Sequence, residues 1–260
     1  LAALANYESE ATNSAAVIQI SVDETPAKFR LATRQDVPSA RASPGPLAVA
    51  DSDGDGHLEL FVGGRLIPGA YPQAASSKLF RRDGNKLVPD TANNRVLENA
   101  GLVSGAVWSD LDGGGYPELV LACEWGPVRV FKNERGRLRE STAEIGLATF
   151  TGWWQGVTTG DFDEDGRLDI LASNWGLNDA YQASAQHPLR LYFGDIGGRG
   201  VVDLVETYYA PELRADVPRR TLNALSQAFP TLLEHFPTHR AFGTATMDDI
   251  WRALSSKPPA

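Results

Sequence analysis

An acidic loop of one pattern, written three times between short apolar runs, constrains this chain of 260 residues more than any other feature. The first copy reads Asp51-Ser52-Asp53-Gly54-Asp55-Gly56-His57-Leu58-Glu59 and the third Asp161-Phe162-Asp163-Glu164-Asp165-Gly166-Arg167-Leu168-Asp169. The second, Asp110-Leu111-Asp112-Gly113-Gly114-Gly115-Tyr116-Pro117-Glu118, has Gly114 where the others have Asp55 and Asp165. Carboxylates at loop positions 1, 3, 5 and 9 gather hard oxygen donors around one point. Gly at position 6 permits a tight turn, and the backbone carbonyl of position 7 (His57, Tyr116 or Arg167) offers one oxygen more. Calcium accepts about six to eight oxygens at about 2.3–2.6 Å in a tolerant geometry, which makes Ca²⁺ the expected ligand. Four carboxylates in the first and third loops against three in the second predict two strong sites and one weaker.

Spacing separates these loops from the EF-hand. That motif needs a bidentate Glu at position 12 and helices on both sides, whereas position 12 here is Val62, Leu121 or Ala172. The flanks are runs such as Leu47–Ala50, Leu58–Val62, Ala106–Trp108, Leu119–Leu121 and Leu168–Leu171, bounded by Gly and too short for helices. Each acidic loop is therefore expected to join two strands.

Segments such as Trp108-Ser109-Asp110 with Leu119-Val120-Leu121-Ala122, and Gly160-Asp161-Phe162-Asp163 with Leu168-Asp169-Ile170-Leu171, resemble the FG-GAP or VCBS repeat of integrin-like β-propellers. They are similar in particular to bacterial VCBS-repeat proteins of the ASPIC/UnbV and cartilage-acidic-protein group. The resemblance covers roughly residues 38 to 210. It implies an all-β fold of propeller blades, about three to four here and part of a larger propeller, with calcium in the turn between the first two strands of a blade. It also implies a secreted or surface protein engaged in adhesion and binding. Two departures stand out. Gly114 removes one ligand, and Asp195-Ile196-Gly197-Gly198-Arg199-Gly200-Val201-Val202-Asp203 keeps the frame of the motif without its middle carboxylates, so no metal is expected there.

Loop starts at Asp51, Asp110, Asp161 and the degenerate Asp195 give intervals of 59, 51 and 34 residues. The longer two suit blades of four short strands. Lys78–Arg81 turning through Asp83-Gly84-Asn85 into Lys86–Val88 reads as a hairpin, as does Val128–Phe131 turning through Glu134–Gly136 into Arg137-Leu138. Leu189–Phe193 takes the equivalent place in the third unit. Residues 1–36 hold two strand-like runs, Ala16–Ile20 and Lys28–Leu31, of a partial blade; residues 37–210 carry the blades; residues 211–260 turn to helical periodicity and read as an insertion. In that last stretch Asp216 is an expected helix cap with Pro218 in the first turn, Leu222, Leu225 and Phe229 line one face, and Thr246–Asp249 makes a capping-box variant.

Composition narrows the function. The formal charge is −9, and eleven of the 33 acidic residues stand at the ligand positions of the three loops, where cations would neutralise them. No basic stripe or stacking platform for nucleic acid is present, and no run approaches the roughly 20 apolar residues of a membrane span. The single cysteine, Cys123, follows a strand and is expected to be a small buried residue. His235 and His239 are spaced i, i+4 but Pro237 lies between them, so two surface histidines are expected. The chain opens at Leu1 without an initiator Met and is read as a segment of a longer secreted protein. Together with the resemblance, the expectation that weak loop sites fill at about 10⁻⁴–10⁻³ M calcium, as in extracellular modules, implies a place outside the cell, at its surface or in the periplasm.

Two function classes follow. The first is a calcium-binding extracellular propeller that serves as a scaffold for a protein or carbohydrate ligand. Tyr71, Trp125, Trp175 and Tyr181 are candidate ligand residues on the long Arg65–Ser77 and Asn174–His187 connections and at a strand end. Packing between blades is the competing role for these aromatics. The second class is a carbohydrate-active enzyme on the same scaffold, a polysaccharide lyase or glycoside hydrolase. Such chemistry needs free paired carboxylates, and convergence of Glu124, Asp179 and Tyr181 in one cleft would favour it.

Overall fold

The computed structural model describes residues 42–176 and 183–254 in full, and the backbone only of the strands within residues 2–38. The chain divides into two compact units, Leu1–Gly176 and Leu177–Ala260. Within the first, β1 (Ala2–Ala3), β2 (Ala15–Thr25) and β3 (Lys28–Pro38) form a three-stranded sheet in chain order. The two expected N-terminal strands are thus present as the longer β2–β3 hairpin.

A second sheet runs β4 (Ser43–Ala50), β5 (Glu59–Leu66), β6 (Lys78–Asp83) and β7 (Lys86–Pro89), again in chain order. The Gly84-Asn85 turn closes β6 on β7, with Asp83 opposite Lys86, and Gly84 takes the positive φ of 56° that favours glycine. Helix α1 (Thr91–Val96) follows, its first amides capped by the Asp90 carboxylate. The third sheet repeats the meander with β8 (Leu102–Ser109), β9 (Glu118–Pro127), β10 (Arg129–Asn133) and β11 (Leu138–Glu140). β12 (Thr151–Gly160) and β13 (Asp169–Asn174) join the same sheet, because the start of β12 pairs with the end of β9, Trp153 opposite Glu124.

The continuous apolar run of β9 records burial on both faces. Leu119, Leu121 and Cys123 face a core with Phe61, Leu79, Leu97 and Phe131. Val120 turns the other way, into a cluster with Val128, Val130, Trp154, Val157 and Ile170. Sheets therefore stack face to face along the unit. A Cβ on Gly105 would lie 2.9 Å from Gly156 Cα, so the backbones of β8 and β12 meet where no side chain fits. Cys123 is buried as expected, with its Sγ donating to the Ala100 carbonyl and its thiol pushed up to about 12 by burial.

In the second unit β14 (Arg190–Gly194), β15 (Asp203–Ala210) and β16 (Ala215–Pro218) form a three-stranded antiparallel sheet. Helices α2 (Leu222–Ala228), α3 (Leu232–His235), α4 (His239–Phe242) and α5 (Met247–Ala253) follow. Leu222, Leu225 and Phe229 are buried together with Leu232, Ile250 and Trp251, as the periodicity predicts. Thr246 and Asp249 form the reciprocal capping box. Asp216 does not cap a helix. It lies in β16 opposite Tyr209, its carboxylate pairs with Arg190, and the helix starts later, where the Thr221 hydroxyl caps Ala224. Pro218 is compatible with the end of an edge strand as well as with a first helical turn, and here the strand pairing prevails. His235 and His239 fall on different short helices, both exposed. Among the described residues no helix is long and apolar enough to cross a membrane.

Candidate metal centres and the aromatic cluster

All three acidic loops connect antiparallel strands in one register. Ala50 lies opposite Glu59, Ser109 opposite Glu118 and Gly160 opposite Asp169. Strand pairing thus carries the position-9 carboxylate back beside position 1, which is what an EF-hand achieves with a helix. At position 6, Gly56, Gly115 and Gly166 adopt φ of 84°, 80° and 84°. Their N–H groups donate to the second oxygen of the position-1 Asp at 3.0, 3.0 and 2.9 Å. The position-3 Asp accepts from the position-5 N–H at 3.1, 2.9 and 3.2 Å. The position-9 acid accepts from the position-2 N–H, Ser52, Leu111 or Phe162, at 2.7, 2.9 and 3.0 Å. Three copies of one bonding scheme show that the turn is encoded locally.

The result is three carboxylate groups, Asp51–Asp53–Glu59, Asp110–Asp112–Glu118 and Asp161–Asp163–Asp169, each with one oxygen per residue inside a 4.8 Å span. Asp55 and Asp165 lie outside these groups and accept instead from the N–H of His57 and Arg167. Arg167 also lays its guanidinium on Asp165. The Tyr116 ring leans on the first loop, 3.3 Å from where a Cβ on Gly54 would stand.

Whether these residues suit a hard divalent cation can be judged on the second loop. Asp110 Oδ1 is buried and has no hydrogen-bond partner, an arrangement that leaves a carboxylate oxygen short of a counter-charge. Burial pushes the carboxyls of Glu59 and Glu118 up from the ordinary range. Two anionic side chains set inward beside other carboxylates fit an oxygen-seeking cation. Lys132 bridges Asp112 at 3.0 Å and holds that carboxyl below the ordinary range by its hydrogen bond. A lysine therefore sits on the loop in which Gly114 replaces a carboxylate.

The ligand candidates gather at the other end of the strands. Trp125, at the end of β9, stacks on Trp153 with ring centroids 5.6 Å apart, and Trp153 meets Trp175 at 4.2 Å. Trp125 Nε1 donates to the Tyr71 hydroxyl at 2.8 Å. Tyr71, Trp125 and Trp175 are therefore brought together, and Trp153 lies at the centre of the stack. The pairing of β12 onto β9 puts it there. Trp153 is covered on both sides and serves packing, whereas Trp175 closes the stack with 48% of its surface exposed. Beside the stack, Glu124, only 7% exposed, pairs with Arg65 and accepts from Gln155 Nε2 at 3.5 Å. Tyr181 and Asp179 lie outside the described residues.

Meandering antiparallel sheets with acidic turns between paired strands define a β-rich repeat protein. Residues 110–172, from the second acidic loop through the third, match the model of the FG-GAP-like repeat. Comparison with curated proteins gives no match.

Proposed function

We propose that this chain is a calcium-binding β-propeller segment that works outside the cytoplasm as a scaffold for a protein or carbohydrate ligand. The second loop carries the reading furthest: it lies within the FG-GAP-like repeat and holds a buried Asp110 oxygen without a partner. The first and third loops repeat its bonding scheme. In this reading each sheet meander is a blade. Calcium is bound through Asp51, Asp53, Asp55 and Glu59; through Asp110, Asp112 and Glu118; and through Asp161, Asp163, Asp165 and Asp169. The carbonyls of His57, Tyr116 and Arg167 complete the sets. The ion ties the first two strands of a blade and neutralises carboxylates that otherwise repel. The exposed end of the tryptophan stack, Trp175 with Tyr71 and Trp125 behind it, offers the ligand surface.

Native mass spectrometry and melting curves in calcium and in EGTA test the first part. An ion held at 100 times its dissociation constant adds about 2.7 kcal/mol per site, or about 5–11 °C for a unit of this size. Superimposable curves with no bound calcium would end the reading. Glycan-array and matrix-protein binding of Trp175→Ala tests the second part. Lost binding with an unchanged melting temperature is expected, and Trp153→Ala is expected to melt lower. Retained binding by Trp175→Ala would return the stack to packing alone.

A further inference from the structure

The first and second acidic loops are separate in sequence but share one buried side chain. Asn133, the last residue of β10, is only 5% exposed. Its amide Nδ2 donates to the Ser52 carbonyl of the first loop at 2.7 Å and to the Pro117 carbonyl of the second at 2.9 Å. Its backbone N–H reaches Glu118 Oε1 at 3.5 Å, while its Oδ1 accepts from Gly136 N–H at 2.8 Å and so fixes the amide's direction. On the far side, Ser52 gives both its N–H and its hydroxyl to Glu59 Oε2, each at 2.7 Å. A continuous chain of hydrogen bonds therefore runs from the position-9 carboxylate of the first loop to that of the second, through Ser52, Asn133 and Pro117–Glu118.

The hairpin that carries Asn133 also touches the first loop directly. A Cβ on Gly136 would stand 2.6 Å from Asp53 Cβ, so the β10–β11 turn is seated on a position-3 ligand. Tyr116 of the second loop lies against Gly54 of the first, and the Arg135 guanidinium stands 6.0 Å from the Tyr116 ring centroid. The third loop has the same bonds within its turn, whereas the bonds of the Asn133 amide go to the first two loops.

We infer that the first and second loops form a cooperative pair of cation sites, with the Asn133 amide as the positioning residue that couples them. This rests on the reading of the loops as calcium sites. An ion in either loop fixes that loop's backbone and, through the shared amide, orders the other. The second ion then loses less conformational freedom than the first. Coupling of this kind is reciprocal, and its usual size is about 5–150-fold in affinity.

The experiment uses the full chain with Asp163→Ala, which leaves the first two loops, and titrates calcium by calorimetry. Adding Asp112→Ala reports the first loop alone, and adding Asp53→Ala reports the second alone. The pair should bind at least about fivefold more tightly than the product of the isolated constants allows. Asn133→Ala, or the near-isosteric Asn133→Leu if the alanine variant is poorly folded, should bring that factor to one while calcium still binds. Arg139→Ala, an exposed position of β11 that pairs with Glu134 and Glu144 and takes no part in the amide bonds, should retain it. A factor of one in the protein with Asn133 overturns the coupling, and so does a factor that survives both Asn133 variants. If the unmodified chain holds no calcium, the calcium reading falls and the coupling with it; calcium bound by two independent loops removes the coupling alone.

Discussion

Replacing Arg199 should loosen the second unit, because its guanidinium takes the place proposed for a cation in the other acidic loops. The turn from Asp195 to Asp203 keeps the shared frame. Gly194 lies opposite Asp203, Gly200 has φ of 74°, and its N–H donates to Asp195 Oδ2 at 2.9 Å. At positions 3 and 5, however, stand Gly197 and Arg199, and Arg199 pairs with the position-9 Asp203, whose side chain is 3% exposed. Removing one partner of a buried pair costs about 3–5 kcal/mol. Arg199 itself is 44% exposed, and the Gly197 N–H still holds Asp203 at 2.8 Å. Solvent screening and that remaining bond reduce the expected loss for Arg199→Ala to about 2 kcal/mol. Amides of β15 should then exchange about 30-fold faster, at about 1.4 kcal/mol per tenfold. Hydrogen-exchange mass spectrometry reads this directly, with peptides of β9 as the internal reference. Added calcium should not restore protection. Gly197→Asp together with Arg199→Asp should make protection calcium-dependent by restoring the missing carboxylates. The changes belong together, since a Cβ on Gly197 would stand 3.0 Å from Arg199 Nε. Exchange in β15 that stays within about twofold after Arg199→Ala would refute the role given to Arg199.

Two other outcomes follow from the loops. Calorimetric titration of Asp53→Ala, Asp112→Ala and Asp163→Ala should show the smallest loss of calcium affinity for Asp112→Ala, and Lys132→Met should strengthen the second loop by removing its competitor; equal losses in all three would defeat the ranking. With calcium chelated, the carboxyls of Glu59 and Glu118 are raised above their ordinary 4.5 chiefly by burial. Their contribution to stability is therefore full below about pH 4.5 and lost as pH rises through the raised values. Calcium needs the carboxylate form, so its stabilisation grows over the same rise. Melts in EGTA should lose this slope in a Glu59→Gln/Glu118→Gln variant, and a slope left unchanged would assign it to other groups.

How much was legible follows the range of the forces involved. The acidic turns could be read because everything that shapes them lies within nine residues: the glycine at position 6, the carboxylates that accept from amides two to five positions on, and the strand formers on either side. Hairpins closed by Gly84 and Gly136, the capping box at Thr246 and the buried face of α2 are equally local. Asp216 misled because an acid before a proline suits a helix start, while the pairing that drew it into β16 depends on a partner strand.

What stayed hidden was the work of residues whose partners are remote. Asn133 carries no motif; it lies 81 positions from Ser52 and becomes important only when two sheets stack and bring both loops to one amide. Trp153 was visible as an aromatic residue, but its place between Trp125 and Trp175 depends on the start of β12 pairing with the end of β9. Arg199 reads as the loss of a ligand, and only its ion pair with Asp203 shows that its guanidinium supplies the positive partner of the position-9 carboxylate. A repeat proclaims the chemistry that every copy shares, because that chemistry is local. The differences between copies, a lysine on the second loop and an arginine inside the fourth frame, arise from what each copy is packed against, and it is there that otherwise similar turns are expected to acquire unequal affinities.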